Sequence, residues 1–150
     1  MKILFLSVVM ALSAIFNVES KISQIITVDS ILNDSTNHPL KPLMAAIMTV
    51  ESKGNPKAYN KKGDCVGLLQ ITKICVRECN NILKTQKSSK RYSYEDRWDA
   101  EKSIEMFYII QDKHNPTYDI NKGIRLWNKF GWYKKKVLKV LKEQKIKREN

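Results

Sequence analysis

Glu51 is the residue whose position most strongly suggests chemistry, because it continues the apolar face of a predicted helix. Four apolar residues precede it at helical spacing: Leu40, Leu43, Met44 and Ile47. A carboxylate on that face is partly buried and lies near the negative end of the helix dipole, and both effects raise its pKa. Glu51 is therefore a candidate general acid. The alternative is a helix-end glutamate whose side chain reaches solvent.

The segment after Glu51 combines turn-forming residues with a second polar candidate, Gln70. Gly54-Asn55-Pro56 ends the predicted helix. Glycine, asparagine and aspartate residues between 57 and 67 predict a small β-hairpin or an irregular lobe. The chain then continues as Gly67-Leu68-Leu69-Gln70-Ile71.

Taken together, these blocks resemble the soluble lytic transglycosylase family of the lysozyme-like superfamily. In that family a helix-ending Glu-Ser is followed by Asn-Pro and then by a Gly-rich turn into Gly-Leu-Met-Gln-Ile. The corresponding residues here are Glu51-Ser52, Asn55-Pro56 and 67–71. Blocks at 94–96, 102–107 and 125–128 also look like members of the family, so the resemblance covers roughly residues 40–140.

The resemblance implies roles for five residues of this chain. Glu51 would be the catalytic acid and base, and Gln70 would line the same cleft. Asn128 would hold the sugar beside the reaction centre. Ser52 would either orient Glu51 or cap the helix end. Tyr108 would contact the substrate, although a core aromatic at helical spacing is the alternative for this residue.

The implied reaction needs only one carboxylate from the protein. The family cleaves the bond between N-acetylmuramic acid and N-acetylglucosamine in peptidoglycan and leaves a 1,6-anhydro sugar. A lysozyme-type muramidase hydrolyses the same bond and ordinarily needs a second carboxylate. Its candidates here are Asp64, Asp96, Asp99 and Glu105, each of which is alternatively a solvated charge. We expect neither a metal nor another cofactor.

One block departs from the family pattern. After Asn128 the family has small residues, whereas this chain has Lys129 and Phe130. These side chains would either narrow the floor of the cleft or push the loop outward. The departure therefore leaves a third possibility open, a catalytically weakened peptidoglycan-binding protein.

The elements that must position these residues are mostly helical. Helical spacing and capping signals predict five helices, at about 39–53, 72–83, 93–115, 120–131 and 132–146. Ser93 is the predicted N-cap of the third helix, and Leu138 is one of the residues predicted to face inward in the fifth. The chain is thus predicted to be mainly α, with a lysozyme-like α+β fold in which a small β-hairpin or irregular lobe lies beside the catalytic helix.

The charge of the chain predicts an anionic partner. Its 27 Lys and Arg against 15 Asp and Glu give a formal net charge of +12. Because 43% of its residues are hydrophobic, the chain is not a disordered basic tail. Residues 133–150 carry eight basic and two acidic side chains, or half of that net charge. We expect peptidoglycan strands as the main partner. The basic C-terminal helix either attracts an anionic wall or phospholipid surface or is an ordinary docked helix with a solvated face.

The N-terminus predicts export. Lys2 and the apolar run that follows it are typical of a signal peptide over residues 1–20, and the run is too short to span a membrane comfortably. Cleavage is expected near Lys21, leaving residues 21–150 as one lysozyme-like transglycosylase domain; an uncleaved anchor helix is the alternative. A periplasmic or secreted location argues against a nucleic-acid partner, and we expect a monomer.

The three cysteines leave two possibilities open. Cys65, Cys75 and Cys79 would form one disulfide with one free thiol, or remain inert buried thiols. The spacing does not favour zinc, since His38 and His114 are both distant in sequence.

Overall fold

Five α-helices and a two-stranded hairpin position the candidate residues within 37–149, the part of the chain that the computed structural model describes. The helices are α1 (Lys41–Ser52), α2 (Lys73–Thr85), α3 (Ala100–His114), α4 (Ile120–Trp127) and α5 (Gly131–Glu149). The strands are β1 (Tyr59–Asn60) and β2 (Cys65–Val66), and a 3-10 helix covers Glu95–Trp98. This confirms the predicted mainly α fold with a small hairpin. The predicted signal peptide and its cleavage site lie outside the described residues.

Helix α1 is the central element, and it ends at the site. Leu43, Met44 and Ile47 are completely buried, and the helix packs against α4 and α5. A proline in its first turn favours initiation, and Lys53 in the left-handed conformation (φ 55°) ends it. The predicted apolar face of this helix is confirmed, and its packing brings the end of α1 against the start of α5.

The hairpin is held in place by one glycine and one buried arginine. Strands β1 and β2 are antiparallel, with Tyr59 opposite Val66. A Cβ on Gly67, which has φ +77°, would lie 2.2 Å from the carbonyl oxygen of Arg97, so only glycine fits there. The Arg97 guanidinium donates hydrogen bonds to the carbonyl oxygens of Asp64 and Tyr94, each at 2.8 Å. The hairpin is thereby fixed against the 3-10 helix.

The third predicted helix begins later than expected. Ser93 does start a turn, since its backbone N–H donates to Asp96, but this turn opens the 3-10 helix and not α3. Asp99 is extended and caps α3 by accepting a hydrogen bond from the backbone N–H of Lys102 at 3.0 Å. The prediction that a single helix starts at Ser93 is therefore wrong, because a second capping residue follows six positions later.

Helix α5 faces the core with the predicted side, but Leu138 does not belong to that side. Its buried residues are Tyr133 and Val137, one turn apart, whereas Leu138 is exposed. The inward assignment of Leu138 is wrong because Leu138 lies about 100° around the helix axis from the buried Val137. None of the helices that the structure describes is long and apolar enough to cross a membrane.

Candidate active site

A cleft of about 710 Å³ opens beside the C-terminal end of α1. All five helices and the hairpin contribute side chains to its walls. Its polar lining includes Glu51, Asn60, Gln70, Glu78, Asn128 and Tyr133. An open, partly apolar cleft with a few converging polar groups is typical of a binding site for an extended ligand.

Glu51 lies in the last turn of α1, half-buried in this cleft. Burial raises the pKa of its carboxyl group, and the hydrogen bond that Tyr133 donates opposes that rise only in part. The last turn of α1 contains no basic residue that would favour the charged form. Glu51 therefore holds a proton to higher pH than an ordinary glutamate, as its position in the sequence predicts.

Tyr133 holds Glu51 in place, and sequence reasoning missed it. Its hydroxyl donates a hydrogen bond to Glu51 Oε1 at 2.7 Å, and its side chain is only 2% exposed. Burial, followed by the neighbouring Glu51 carboxylate, raises the pKa of the phenol, so Tyr133 remains a donor. The available signal was its helical spacing from Val137, because a buried tyrosine hydroxyl needs a polar partner.

Ser52 supports the site from outside the cleft. Its hydroxyl lies 2.7 Å from the carbonyl oxygen of Leu68 and 3.3 Å from that of Met48. It does not line the cleft, and it ties the end of α1 to the loop after the hairpin. Of the two roles expected for Ser52, these contacts fit a role at the helix end and not the orientation of Glu51.

Gln70 lines the same cleft as Glu51 and is held by the backbone of the hairpin region. Its Nε2 donates to the carbonyl oxygens of Ala58 at 3.2 Å and Gly67 at 3.1 Å. Its backbone has φ +50°, an uncommon conformation for a residue with a side chain. These contacts fix the orientation of the amide at the cleft wall.

Asn128 lies in the cleft immediately after α4. Its Oδ1 accepts a hydrogen bond from the backbone N–H of Phe130 at 3.0 Å. Its Nδ2 has no hydrogen-bond partner within residues 37–149, so this donor is available to a ligand. Lys129 and Phe130 are exposed and do not line the cleft. These two residues, which depart from the family pattern, therefore do not narrow the floor of the cleft.

Tyr108 lies away from the cleft. Its ring is buried on α3 and stacks on His38, with ring centroids 3.9 Å apart. It is absent from the lining of the cleft. Tyr108 is therefore not placed to make the expected substrate contact in this cleft. The alternative interpretation, a core aromatic residue, describes its position.

The family model of the transglycosylase SLT domain matches residues 31–126. The chain belongs to this family. No curated protein matches the chain. Membership gives this SLT domain a lytic-transglycosylase type of function on peptidoglycan, within the lysozyme-like superfamily. Glu51 and Gln70 fall within the matched range, whereas Asn128 and Tyr133 follow it.

None of the four carboxylates considered for a hydrolase lines the cleft of this SLT domain. Each is held elsewhere: Asp64 pairs with Lys73 at 3.1 Å, Asp96 with Lys102 at 2.6 Å and Glu105 with Lys90 at 2.7 Å, while Asp99 caps α3. The hydrogen bond from Lys73 lowers the pKa of Asp64. The four carboxylates are therefore solvated or structural charges, which is the alternative to a role in hydrolysis.

Glu78 is the second carboxylate of the cleft, and sequence reasoning missed it. It extends from α2, and its Oε1 lies 2.9 Å from Nε2 of His114 on α3, which also lines the cleft. Both side chains are about 40% exposed, at 40% for Glu78 and 39% for His114. The sequence offered only an indirect signal, a glutamate on the same helical face as the cleft residue Cys75.

The three cysteines of the SLT domain are free thiols. Cys65 and Cys75 line the cleft, while Cys79 is buried and lies 3.5 Å from the carbonyl oxygen of Met106. Burial, followed by the charge of Glu51, raises the pKa of the Cys65 thiol. Between residues 37 and 149 no group of three or more His, Cys, Asp or Glu is arranged to hold a metal ion.

Proposed function

We propose that this SLT domain cleaves the β-1,4 bond between N-acetylmuramic acid and N-acetylglucosamine and forms a 1,6-anhydro product, with Glu51 as its only acid and base. The observation that carries the proposal is the pairing of a half-buried glutamate of raised pKa with a buried tyrosine donor. The Tyr133 hydroxyl lies 2.7 Å from Glu51 Oε1 at the wall of an open cleft.

In the first step Glu51 gives its proton to the bridging glycosidic oxygen. Since Tyr133 donates to Oε1, the transferable proton belongs on Oε2. The bond from the muramoyl C1 to this oxygen breaks, and N-acetylglucosamine leaves with the proton. The substrate's own N-acetyl group stabilises the positive charge that develops at C1, so no second carboxylate is required.

In the second step the Glu51 carboxylate takes the proton of the muramoyl 6-hydroxyl. The oxygen of that hydroxyl bonds to C1 and closes the 1,6-anhydro ring, which returns Glu51 to its protonated state. Between the two steps the Tyr133 hydrogen bond stabilises the carboxylate. The Nδ2 of Asn128 supplies a donor for the sugar beside this centre.

A muramidase is the second candidate, and one observation favours it. Glu78 places another carboxylate on the cleft, where it would activate water for hydrolysis. Its pairing with His114 at 2.9 Å fits a structural role equally well. A peptidoglycan-binding protein with weakened catalysis is the remaining alternative.

Mass spectrometry of fragments released from purified peptidoglycan tests these candidates. We expect 1,6-anhydro fragments from the wild type and from Glu78→Gln, and none from Glu51→Gln. Fragments with reducing ends that disappear in Glu78→Gln would establish the muramidase. A wild type that sediments with peptidoglycan but releases nothing would establish the binding protein.

We further propose that the chain acts in the cell envelope, where its substrate lies. The basic helix α5 supports attraction to an anionic surface, because its lysines are mostly exposed and its two ion pairs, at 4.0 and 3.8 Å, are at the limit of contact. Fractionation of cells that express the full chain, with the mature N-terminus measured by mass spectrometry, tests the location. Size-exclusion chromatography with light scattering tests the expected monomer.

A further inference from the structure

Two aromatic side chains at the start of α5 lie exposed to solvent next to each other. Trp132 is 56% exposed and Phe130 is 54% exposed. Their ring centroids are 6.2 Å apart, and the ring planes differ by only 14°. The two rings are therefore stacked in nearly parallel planes and form one exposed apolar pair, which we call the aromatic platform.

The platform adjoins the catalytic cleft. Trp132 lines that cleft, and its ring packs edge-on against Tyr133, with centroids 5.9 Å apart. Tyr133 is the residue that donates to Glu51. A ligand lying on Trp132 is thus separated from the proposed acid by one side chain.

A positive charge accompanies the platform. Nζ of Lys136 lies 5.1 Å from the centroid of the Trp132 ring, and Lys136 also lines the cleft. Within residues 37–149 no carboxylate lies within salt-bridge distance of this amine. The edge of the cleft therefore presents an exposed aromatic pair beside an ammonium group that has no acidic partner among the described residues.

We propose that Phe130, Trp132 and Lys136 form a binding subsite for a carboxylate-bearing sugar of the glycan strand. The C–H face of a pyranose ring packs on an aromatic ring, and the ammonium group pairs with the carboxylate. That carboxylate comes either from the lactyl ether of a peptide-free muramoyl residue or from its stem peptide. The inference rests on the proposed function for the identity of the strand.

An anionic membrane is the competing occupant of this surface, and the form of α5 argues against it. A helix that lies on a membrane gathers its apolar residues along one face. In α5 the apolar and basic residues are distributed around the helix, and the exposed Leu138 and Ile146 do not extend a continuous apolar face. The platform is instead continuous with the cleft, which favours the glycan strand.

Calorimetric binding to Glu51→Gln protein tests the subsite without turnover. Three probes are compared: chitotetraose, which is neutral; a peptide-free muramoyl tetrasaccharide; and the same tetrasaccharide with stem peptides. Trp132→Ala and Lys136→Gln remove the two contacts. Trp98→Ala and Lys142→Gln are the matched controls, since Trp98 is exposed outside the cleft and Lys142 is an exposed lysine of the same helix.

We expect Trp132→Ala to weaken binding of all three probes about tenfold. Lys136→Gln should weaken binding of the carboxylate-bearing probes about threefold at low salt, and leave chitotetraose unchanged. An effect on the peptide-free probe alone supports the subsite with the lactyl carboxylate as partner, because the stem peptide converts that carboxylate into an amide. An effect on the peptide-bearing probe alone supports the subsite with the stem peptide as partner, and an effect on both probes supports it with either carboxylate. Both controls should bind like the parent.

The subsite is overturned if Trp132→Ala binds like the parent, or if Lys136→Gln has the same effect on chitotetraose as on the charged probes. It is also overturned if the two variants lose binding to vesicles of anionic phospholipid while retaining glycan binding. Because Trp132 contacts Tyr133, Phe130→Ala provides a second test on the ring of the platform that does not line the cleft, with a loss of about threefold expected. Failure of the wild type to release anhydro fragments would refute the proposed reaction and leave this binding result intact.

Discussion

The cleft contains two glutamates, and their surroundings differ. Glu51 is half-buried at the end of α1, where burial raises its pKa and a buried tyrosine holds one oxygen. Glu78 is about as exposed as its partner His114, with which it forms a surface pair. Desolvation and a fixed hydrogen-bond donor therefore distinguish Glu51 from Glu78, and the proposed role of Glu51 as the acid rests on these two features.

Exchange of each glutamate for its amide is the strongest test of this difference. Glu51→Gln should lower the rate of fragment release about 10³-fold, because a positioned acid contributes on this scale. Glu78→Gln should lower it less than about threefold, since an exposed pair contributes little. Release of soluble fragments from purified peptidoglycan measures both. Similar losses of fragment release in the two variants would contradict the proposed difference between Glu51 and Glu78.

Tyr133→Phe should have the next largest effect. It removes the hydrogen bond to Glu51 Oε1, and loss of a hydrogen bond to a charged group costs roughly 1.5–3 kcal/mol, or about 10- to 100-fold in rate. Steady-state kinetics should show the loss mainly in kcat. Tyr108→Phe is the control, because its hydroxyl is buried away from the cleft, and it should have wild-type kinetics.

The pH dependence of the rate distinguishes a role in the proton transfer from a purely structural role of Tyr133. Activity should fall as pH rises through the raised pKa of Glu51, because the acid must begin protonated. The hydrogen bond from Tyr133 lowers that pKa, so Tyr133→Phe should move the alkaline limb to higher pH. A limb that stays in place in the variant contradicts the assignment of Glu51 as the acid.

The smallest expected effect of exchanging Glu51 is on the stability of the fold, and the burial of its carboxyl group sets the direction of that effect. A carboxyl group whose pKa is raised by folding contributes stability at pH values below its ordinary pKa of 4.5, and this contribution is lost as pH rises through the folded pKa. Glu51→Gln should therefore stabilise the protein at pH 7, by about 1 kcal/mol, and less at pH 4. Thermal melts at both pH values measure it. Glu78→Gln is the control and should change neither melt by more than about 0.5 kcal/mol.

Much of the frame around Glu51 could be predicted from local sequence. The apolar face of α1 and the turn residues of the hairpin each act over a few residues, and both are confirmed. The start of α3 was missed because two capping residues compete there. Leu138 was wrongly assigned to the inward face of α5, because packing against α1 decides how far that face extends.

The residues of the site also divide into those that local sequence predicts and those that only the packing of helices brings together. Glu51 and Gln70 are close in sequence and belong to one motif, so a resemblance was enough to name them together. Tyr133 meets Glu51 across 82 positions, and Glu78 meets His114 across 36. Helical periodicity gives the face on which each of these residues lies. It contains no information on which two faces meet, because that depends on the packing of whole helices.

The most direct test of the central claim is digestion of peptidoglycan in water enriched in ¹⁸O, followed by mass spectrometry of the fragments. If Glu51 transfers the proton of the muramoyl 6-hydroxyl, the new muramoyl ends are anhydro sugars, one water lighter than reducing ends, and contain no ¹⁸O. Reducing ends that each carry one ¹⁸O atom would show that water attacks C1, which would contradict the account.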